Sequence, residues 1–244
     1  MRPIQKILIE PPTGKKYLVK DLEEDFHTSR GIIPKKELAS GKTVVTSSKG
    51  QSFILLQPSF PDLWENLERG PQVLIQKDIG LILAKTGVNK DSVVVDAGGG
   101  SGSLCLALAN VCKEVTVYEN NPEHFRILAK NVALVGFKQI KLKQEDIAKG
   151  IAEKEVDLIT LDLPEPWKVT KHAEKALKVG GFLVVYLPNL LQMKEFIQST
   201  RDTSITILET IELLERKWKI DDRIVRPEFE MLGHTGFVTF CRKL

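Results

Sequence analysis

The chain has 244 residues, 42% hydrophobic and 27% charged, a globular composition that excludes long disordered stretches. Thirty-five basic against 32 acidic groups leave +3, which excludes a strongly basic, histone-like protein but not an enzyme that handles nucleic acid on a basic patch. No apolar run is long enough to cross a bilayer, the N-terminus lacks the basic-then-apolar layout of a signal peptide, and Cys105, Cys112 and Cys241 make neither a C-x-x-C pair nor a disulfide framework. The chain therefore reads as cytoplasmic, with reduced thiols, no membrane segment and no metal site.

Residues 1–68 are expected to form a small β-rich module. The runs Ile7–Glu10, Lys16–Val19, Thr43–Ser47 and Phe53–Gln57 are separated by turn signals at Pro11-Pro12, Thr13-Gly14, Ser40-Gly41 and Lys49-Gly50. Pro58, Pro61, Gly70 and Pro71 mark a connection, and residues 69–244 form the second domain. Here strands and helices alternate. Ile79–Thr86 has helical spacing, Ser92–Asp96 is a short apolar strand ending in an acid, and Gly102–Val111 is helical. Val115–Tyr118 is the next strand, followed by a helix from Pro122 to about Val135. Strands Ile140–Lys143, Val156–Leu161 and Gly181–Leu187 follow, with helices Lys168–Leu177 and Asn189–Thr200 between them. This alternation predicts an α/β, Rossmann-like, mostly parallel sheet covered on both faces. The tail, Ile205–Leu213 and Thr235–Cys241, reads as two further strands added antiparallel at the sheet edge. Trp64, Trp167 and Trp218 read as packing residues.

The strongest local signal is Asp96-Ala-Gly98-Gly-Gly100-Ser-Gly102, between an apolar strand and a helix. Its glycines allow a sharp turn and close approach of a ligand to the backbone, at a helix terminus with orphan N–H groups. The dinucleotide pattern G-x-G-x-x-G does not fit, since its third position falls on Ser103 or Cys105. Glu119 ends the next strand, where a carboxylate can accept both hydroxyls of a ribose. Asp146 follows the third strand and Asp162 the fourth. Strand-end acids of this kind face the ligand crevice of an open α/β sheet.

The pattern Asp-x-Gly-x-Gly-x-Gly resembles motif I of the class I S-adenosylmethionine-dependent methyltransferases. Further segments, Phe26–Pro34, Arg69-Gly70-Pro71-Gln72-Val73 with Lys77-Asp78, Leu161–Trp167, Tyr186–Asn189 and Gly233–Phe237, together resemble the tRNA (adenine-N1)-methyltransferases (TrmI type) of archaea and thermophilic bacteria over nearly the whole chain. The resemblance implies a seven-stranded sheet whose last strand is antiparallel. It implies S-adenosyl-L-methionine as cofactor, and methylation of ring nitrogen 1 of the T-loop adenosine at tRNA position 58, with 57 as a second target in some archaea. It also implies a homotetramer, with the N-terminal module serving RNA binding or oligomerisation. Asp162 would be catalytic and would also border the cofactor. Asp96, Gly98, Gly100, Ser101, Gly102, Ser103, Leu104, Glu119, His124 and Asp146 would bind the cofactor, and Arg223, Arg226, His234 and Thr235 would rim the nucleotide pocket. Competing readings are a class I methyltransferase for another RNA, a protein or a small molecule, a non-catalytic RNA-binding subunit, and a nucleotide-dependent oxidoreductase. Charge is distributed to match an RNA enzyme: residues 1–49 carry 10 basic and 6 acidic groups and residues 216–244 carry 7 and 4.

Overall fold

The computed structural model describes residues 2–11, 13–70 and 73–244; Pro12, Pro71 and Gln72, named above, lie outside the described residues. The chain divides into two compact units, one running to Glu68 and including residues Ala129–Lys138, the other made of Arg69–Leu128 and Gln139–Leu244.

In chain order the first unit contains β1 (Lys6–Glu10), β2 (Lys15–Val19), β3 (Phe26–Thr28), β4 (Gly31–Ile33), α1 (Lys35–Leu38), β5 (Val44–Thr46), β6 (Ser52–Leu56) and α2 (Phe60–Trp64). An antiparallel sheet in the order β2-β1-β6-β5 carries the core residues Leu8, Val19, Val45, Phe53 and Leu55, which pack with Ile33 and Leu38. Burial of these aliphatic and aromatic side chains is the main term that stabilises so small a module. The Tyr17 ring meets Phe53 and Phe26 edge to face, a geometry aromatic pairs prefer. The hairpin β3–β4 and the short helices α1 and α2 were not expected. The hairpin β3–β4 has strands of three residues, too short to display a period of two. Helix α2 falls in the connection, started by a capping box between Ser59 and Asp62. The segment 129–138 is tied to the same unit, with Asn131 Nδ2 donating to the Glu68 carbonyl at 2.8 Å and Phe60 stacked on Phe137.

The second unit contains α3 (Gln76–Thr86), β7 (Val93–Ala97), α4 (Ser103–Ala109), β8 (Glu114–Tyr118), α5 (Pro122–Val135), β9 (Ile140–Lys143), β10 (Val156–Leu161), α6 (Thr170–Ala176), β11 (Leu177–Leu187), α7 (Leu190–Ser199), β12 (Ile205–Ile211), β13 (Trp218–Ile220), β14 (Val225–Pro227) and β15 (Phe237–Lys243). Helix α5 begins here, and its last turns fall in segment 129–138. The seven-stranded sheet runs β12-β15-β11-β10-β7-β8-β9, with β15 antiparallel to both neighbours and the others mutually parallel. The last strand is antiparallel as expected, and β12 and β15 form the expected antiparallel pair added at one edge of the sheet, with β15 between β12 and β11. Val238, Thr239, Phe240 and Cys241 are all buried, which requires cover on both faces and a partner on both sides. On one face, alternate residues such as Val95, Ile159, Leu161, Leu183 and Val185 pack with Ala173, Met193 and Phe196. The intervening residues, among them Asp96, Thr160 and Tyr186, therefore point to the other face. Trp218, expected to pack, is 55% exposed on the hairpin β13–β14. The three cysteines are free and buried.

Candidate active site

Strands β10, β7 and β8 are adjacent and parallel, so their carboxyl ends bring Asp162, Asp96 and Glu119 to one edge of the sheet. Between them runs the glycine loop. Gly98 has φ +83°, and a Cβ built on it would lie 2.0 Å from the Asp162 carbonyl oxygen. The close approach is held by the Asp162 N–H, which donates to the Ala97 carbonyl at 2.9 Å. A side chain at Gly99 would overlap Val117 and Leu128, so this extra glycine is needed for packing. The Gly98 and Gly99 amides donate to the Tyr118 carbonyl at 3.1 and 3.2 Å, and Gly102 caps α4.

Glu119 is 5% exposed. Its Oε2 accepts the Gly100 N–H and its Oε1 the Asn121 N–H, both at 2.8 Å. Each oxygen keeps a second lone pair for a ligand hydroxyl. His124, in the first turn of α5, places Nδ1 4.0 Å from Glu119 Oε2. Asp96 is buried and accepts the Thr160 hydroxyl at 2.6 Å. Its burial pushes the carboxyl up to about 6; the Thr160 bond opposes the rise and the Glu119 charge adds to it. Asp162 borders the cleft and is pushed up to about 7, first by desolvation and then by the charges of Asp96 and Glu119.

These groups enclose a cleft of about 330 Å³ lined by Gly98, Gly100, Ser101, Glu119, His124 and Asp162. A narrow recess beneath it reaches Leu74, Asp96, Ser103 and Leu104, and the Ser103 hydroxyl donates to the Leu74 carbonyl at 2.8 Å. Asn120 also borders a wider hollow of about 830 Å³ that contains Asp146. One Asp146 oxygen caps the short helix Ile147–Lys149 by accepting the Ala148 N–H at 2.9 Å. The fold thus brings most of the expected cofactor residues to one cleft, with Gly102 shaping the loop rather than lining it and Asp146 in the adjoining hollow.

None of the four expected rim residues is among those lining the cleft. Arg223 and Arg226 belong to the β13–β14 hairpin, where the Arg226 guanidinium stacks 3.8 Å from the Phe229 ring centroid. His234 contacts Glu212 Oε1 at 2.6 Å and the Pro188 carbonyl at 2.8 Å, and Glu212 raises its pKa. Thr235 bonds to Lys77 and Asp78. Residues 120, 121, 163 and 164 line the cleft as well; Leu163 and Pro164 lie in the Leu161–Trp167 segment that carries the resemblance, whereas Asn120 and Asn121 belong to no motif and only their place directly after Glu119 could have marked them. Among the described residues no group of His, Cys, Asp and Glu is arranged to hold a metal ion, and no helix is long and apolar enough to cross a membrane.

Three carboxylates around one small cleft suit a cationic ligand, and a backbone cradle that a Cβ would fill suits a ligand pressed against the loop. With the strand order and its single reversed strand, this defines a class I S-adenosylmethionine-dependent methyltransferase. Two solved structures share the fold over the whole chain. An S-adenosylmethionine-dependent O-methyltransferase from Thermotoga maritima has a TM-score of 0.80 and 28% identity, covering 94% of that chain. The tRNA methyltransferase TrmI from Aquifex aeolicus has a TM-score of 0.74 and 25% identity, covering 98% of that chain. Within the class, the chain belongs to the family described as the tRNA methyltransferase complex GCD14 subunit, whose model matches residues 52–226. It is 35% identical to the tRNA (adenine(57)-N(1)/adenine(58)-N(1))-methyltransferase TrmI of Methanocaldococcus jannaschii, over 97% of this chain and 94% of the relative. It is 30% identical to the tRNA (adenine(58)-N(1))-methyltransferase TrmI of Thermus thermophilus, over 97% and 96%.

Proposed function

We propose that this protein transfers the methyl group of S-adenosyl-L-methionine to ring nitrogen 1 of adenosine at position 58 of the tRNA T-loop, and at position 57 as its archaeal relative's name describes. The carrying observation is Asp162, a carboxylate at the crevice edge of β10 beside the glycine loop, in a chain whose full-length relatives are named for this reaction. The protein works in the cytoplasm as a homotetramer, and the N-terminal module contributes to holding tRNA or to assembly.

The cofactor supplies an electrophilic methyl group on a positively charged sulfur. Glu119 accepts from the ribose hydroxyls, with His124 beside it. The loop Gly98–Gly102 and the first turn of α4, including Ser103 and Leu104, hold the methionine end near Asp96, and Asp146 meets the adenine end. Adenine N1 already has a lone pair, so the site must align the base rather than deprotonate it, and alignment supplies at most about 7–11 kcal/mol. Methylation makes the base cationic. The Asp162 carboxylate orients the exocyclic amine and stabilises the charge that develops on the ring.

Replacing Glu119 by Ala is expected to weaken cofactor binding ~10-fold or more, the scale of a hydrogen bond to a charged group; calorimetry giving an unchanged Kd removes Glu119 from the ribose site. A pH effect follows from the two raised carboxyls. The cationic cofactor favours their ionised forms, so its binding expels protons from Asp96 and Asp162 between about pH 5 and pH 8. Cofactor affinity should rise with pH across that window, and calorimetry in two buffers of different ionisation enthalpy should detect proton release; a flat profile contradicts it. The reaction itself is tested by mapping modified nucleosides in unmodified tRNA incubated with the enzyme and cofactor. A second reading, O-methylation of a small molecule, is favoured by the likeness to the O-methyltransferase of Thermotoga maritima; methyl transfer that survives removal of RNA by nuclease would select it.

A further inference from the structure

The loop that walls the hollow beside the cleft is tied at its neck by three groups that the chemistry above does not use. Gln144, Asp146, Lys149 and Ile151 of this loop line the hollow of about 830 Å³, together with Tyr118 and Asn120. Lys143, the last residue of β9, precedes the loop, and Glu153 follows it. Lys143 Nζ donates to Glu153 Oε1 at 2.7 Å and to the Tyr118 hydroxyl at 2.9 Å, and that hydroxyl donates to Glu153 Oε2 at 2.6 Å. The Ala152 N–H donates to the same hydroxyl oxygen at 3.4 Å. Tyr118 and Lys143 are partners in the parallel register of β8 and β9, and Lys143 Nζ lies 4.8 Å from the Tyr118 ring centroid, within cation–π range.

Every hydrogen-bonding position of the phenol is thereby taken. Its proton goes to Glu153, and its two lone pairs go to Lys143 and Ala152. Tyr118 therefore has nothing left to offer a ligand through its hydroxyl; what it does is fasten both ends of the loop to the last residue of β8, directly before Glu119. The Lys143 and Glu153 side chains are 25% and 15% exposed, so solvent screens this pair less than a surface pair. Burial opposes the charge on Glu153, but the bonds from Lys143 and Tyr118 outweigh it and hold its carboxyl below the usual range. The neck thus stays closed across the window in which Asp96 and Asp162 titrate. Ile147 and Ile151 pack in the same core cluster as Tyr118, so the loop keeps its apolar anchors even when the neck is cut.

Resting on the cofactor placement proposed above, we propose that Tyr118, Lys143 and Glu153 are positioning residues that hold the loop 144–152 in the shape that receives the adenine end of S-adenosyl-L-methionine. Asp146 stands three residues beyond Lys143. One of its oxygens is committed to the Ala148 N–H, and the carboxylate keeps acceptor capacity for an amine. A loop open at its neck would hold that carboxylate in many places, and ordering it on binding would cost affinity.

The test measures the Kd of S-adenosylhomocysteine by calorimetry on the full-length protein, with hydrogen exchange of the free protein as an independent readout. Tyr118→Phe keeps the ring, and Glu153→Met keeps the length but removes both acceptors. Each should weaken binding ~10-fold, the scale of a hydrogen bond to a charged group, and should speed exchange in residues 144–152 while β7 and β10 keep their protection. The double variant should be little worse than either single one, because the groups act as a unit. Single-turnover methyl transfer to tRNA at saturating cofactor should match wild type, since only binding is affected. An unchanged Kd in both single variants overturns the neck, as do losses that add in the double variant. Faster exchange spread through the whole second unit, or a fall in single-turnover rate as large as the loss of affinity, overturns it equally, because general damage then accounts for both. Binding is read without RNA, so a wild type that binds S-adenosylhomocysteine but methylates no tRNA overturns the proposed function alone.

Discussion

Asp162→Ala is expected to lower methyl transfer to tRNA by ~10²–10⁴-fold, the range seen when a positioned acid–base group is lost, while cofactor affinity changes only a few-fold. The expectation rests on what surrounds the carboxyl. It stands at the carboxyl end of the central strand β10, in the cleft rather than in a helix cap, and its backbone N–H already continues the ladder to Ala97. Removal of the side chain therefore leaves the strand end in place. Single-turnover methyl transfer and calorimetric cofactor binding separate the two effects; near-normal transfer excludes Asp162 from the mechanism. The pH profile adds a second readout. The ionised carboxylate is the working form, and its pKa is raised to about 7, so kcat/KM should rise from pH 6 to pH 8 and the variant should lose that limb. Stability moves the other way. A carboxyl whose folded pKa exceeds its unfolded value of 3.8 binds its proton more tightly in the native state, so its contribution is full below pH 4 and is lost as pH rises through about 7. Asp162→Asn, which cannot ionise, should accordingly raise the thermal midpoint at pH 8 and leave it almost unchanged at pH 4.

Gly98→Ala should abolish measurable cofactor binding and lower the thermal midpoint. Two costs combine. At φ +83° an L-residue carries strain of about 1–3 kcal/mol, and the new Cβ would sit 2.0 Å from the Asp162 carbonyl oxygen. That oxygen belongs to backbone held by the bond to Ala97, so it cannot swing aside as a flexible side chain would. Relief requires β7 and β10 to separate at their carboxyl ends, which opens the cleft. With a further clash cost the midpoint should fall by ~5–10 °C, since each kcal/mol moves a domain of this size by roughly 2–4 °C. Gly87→Ala is the control. Gly87 caps α3 at φ +63°, and nothing lies within 4 Å of the place a Cβ would take, so it has the strain without the clash. A Gly98→Ala enzyme that behaves like Gly87→Ala shows that the close approach to Asp162 is dispensable.

Much of the site was legible because its signals are local. Alternation of apolar strands with helical runs specifies a parallel sheet through periodicity alone. Glycines spaced two apart after β7 mark a turn, and acids placed at the ends of β7, β8 and β10 fall at one edge wherever those strands are adjacent. The short hairpins β3–β4 and β13–β14 escaped because three residues cannot display a period of two.

Other features belong to residues far apart in the chain. The place of β15 between β12 and β11 depends on which neighbours cover its two faces, and its sequence carries apolar residues without naming them. Lys77 and Thr235 are 158 positions apart, and nothing in either segment indicates that an ammonium, a carboxylate and a hydroxyl close into a buried triangle. The raised carboxyls of Asp96 and Asp162 depend likewise on burial and on mutual repulsion across strand ends. Periodicity and turn chemistry act between neighbours along the chain, so one sequence suffices to reveal the sheet, the loop and its acids. Desolvation and charge coupling act between neighbours in space, and so the ionisation of the acids and the buried ion pair at the start of α3 were decided only when the chain folded.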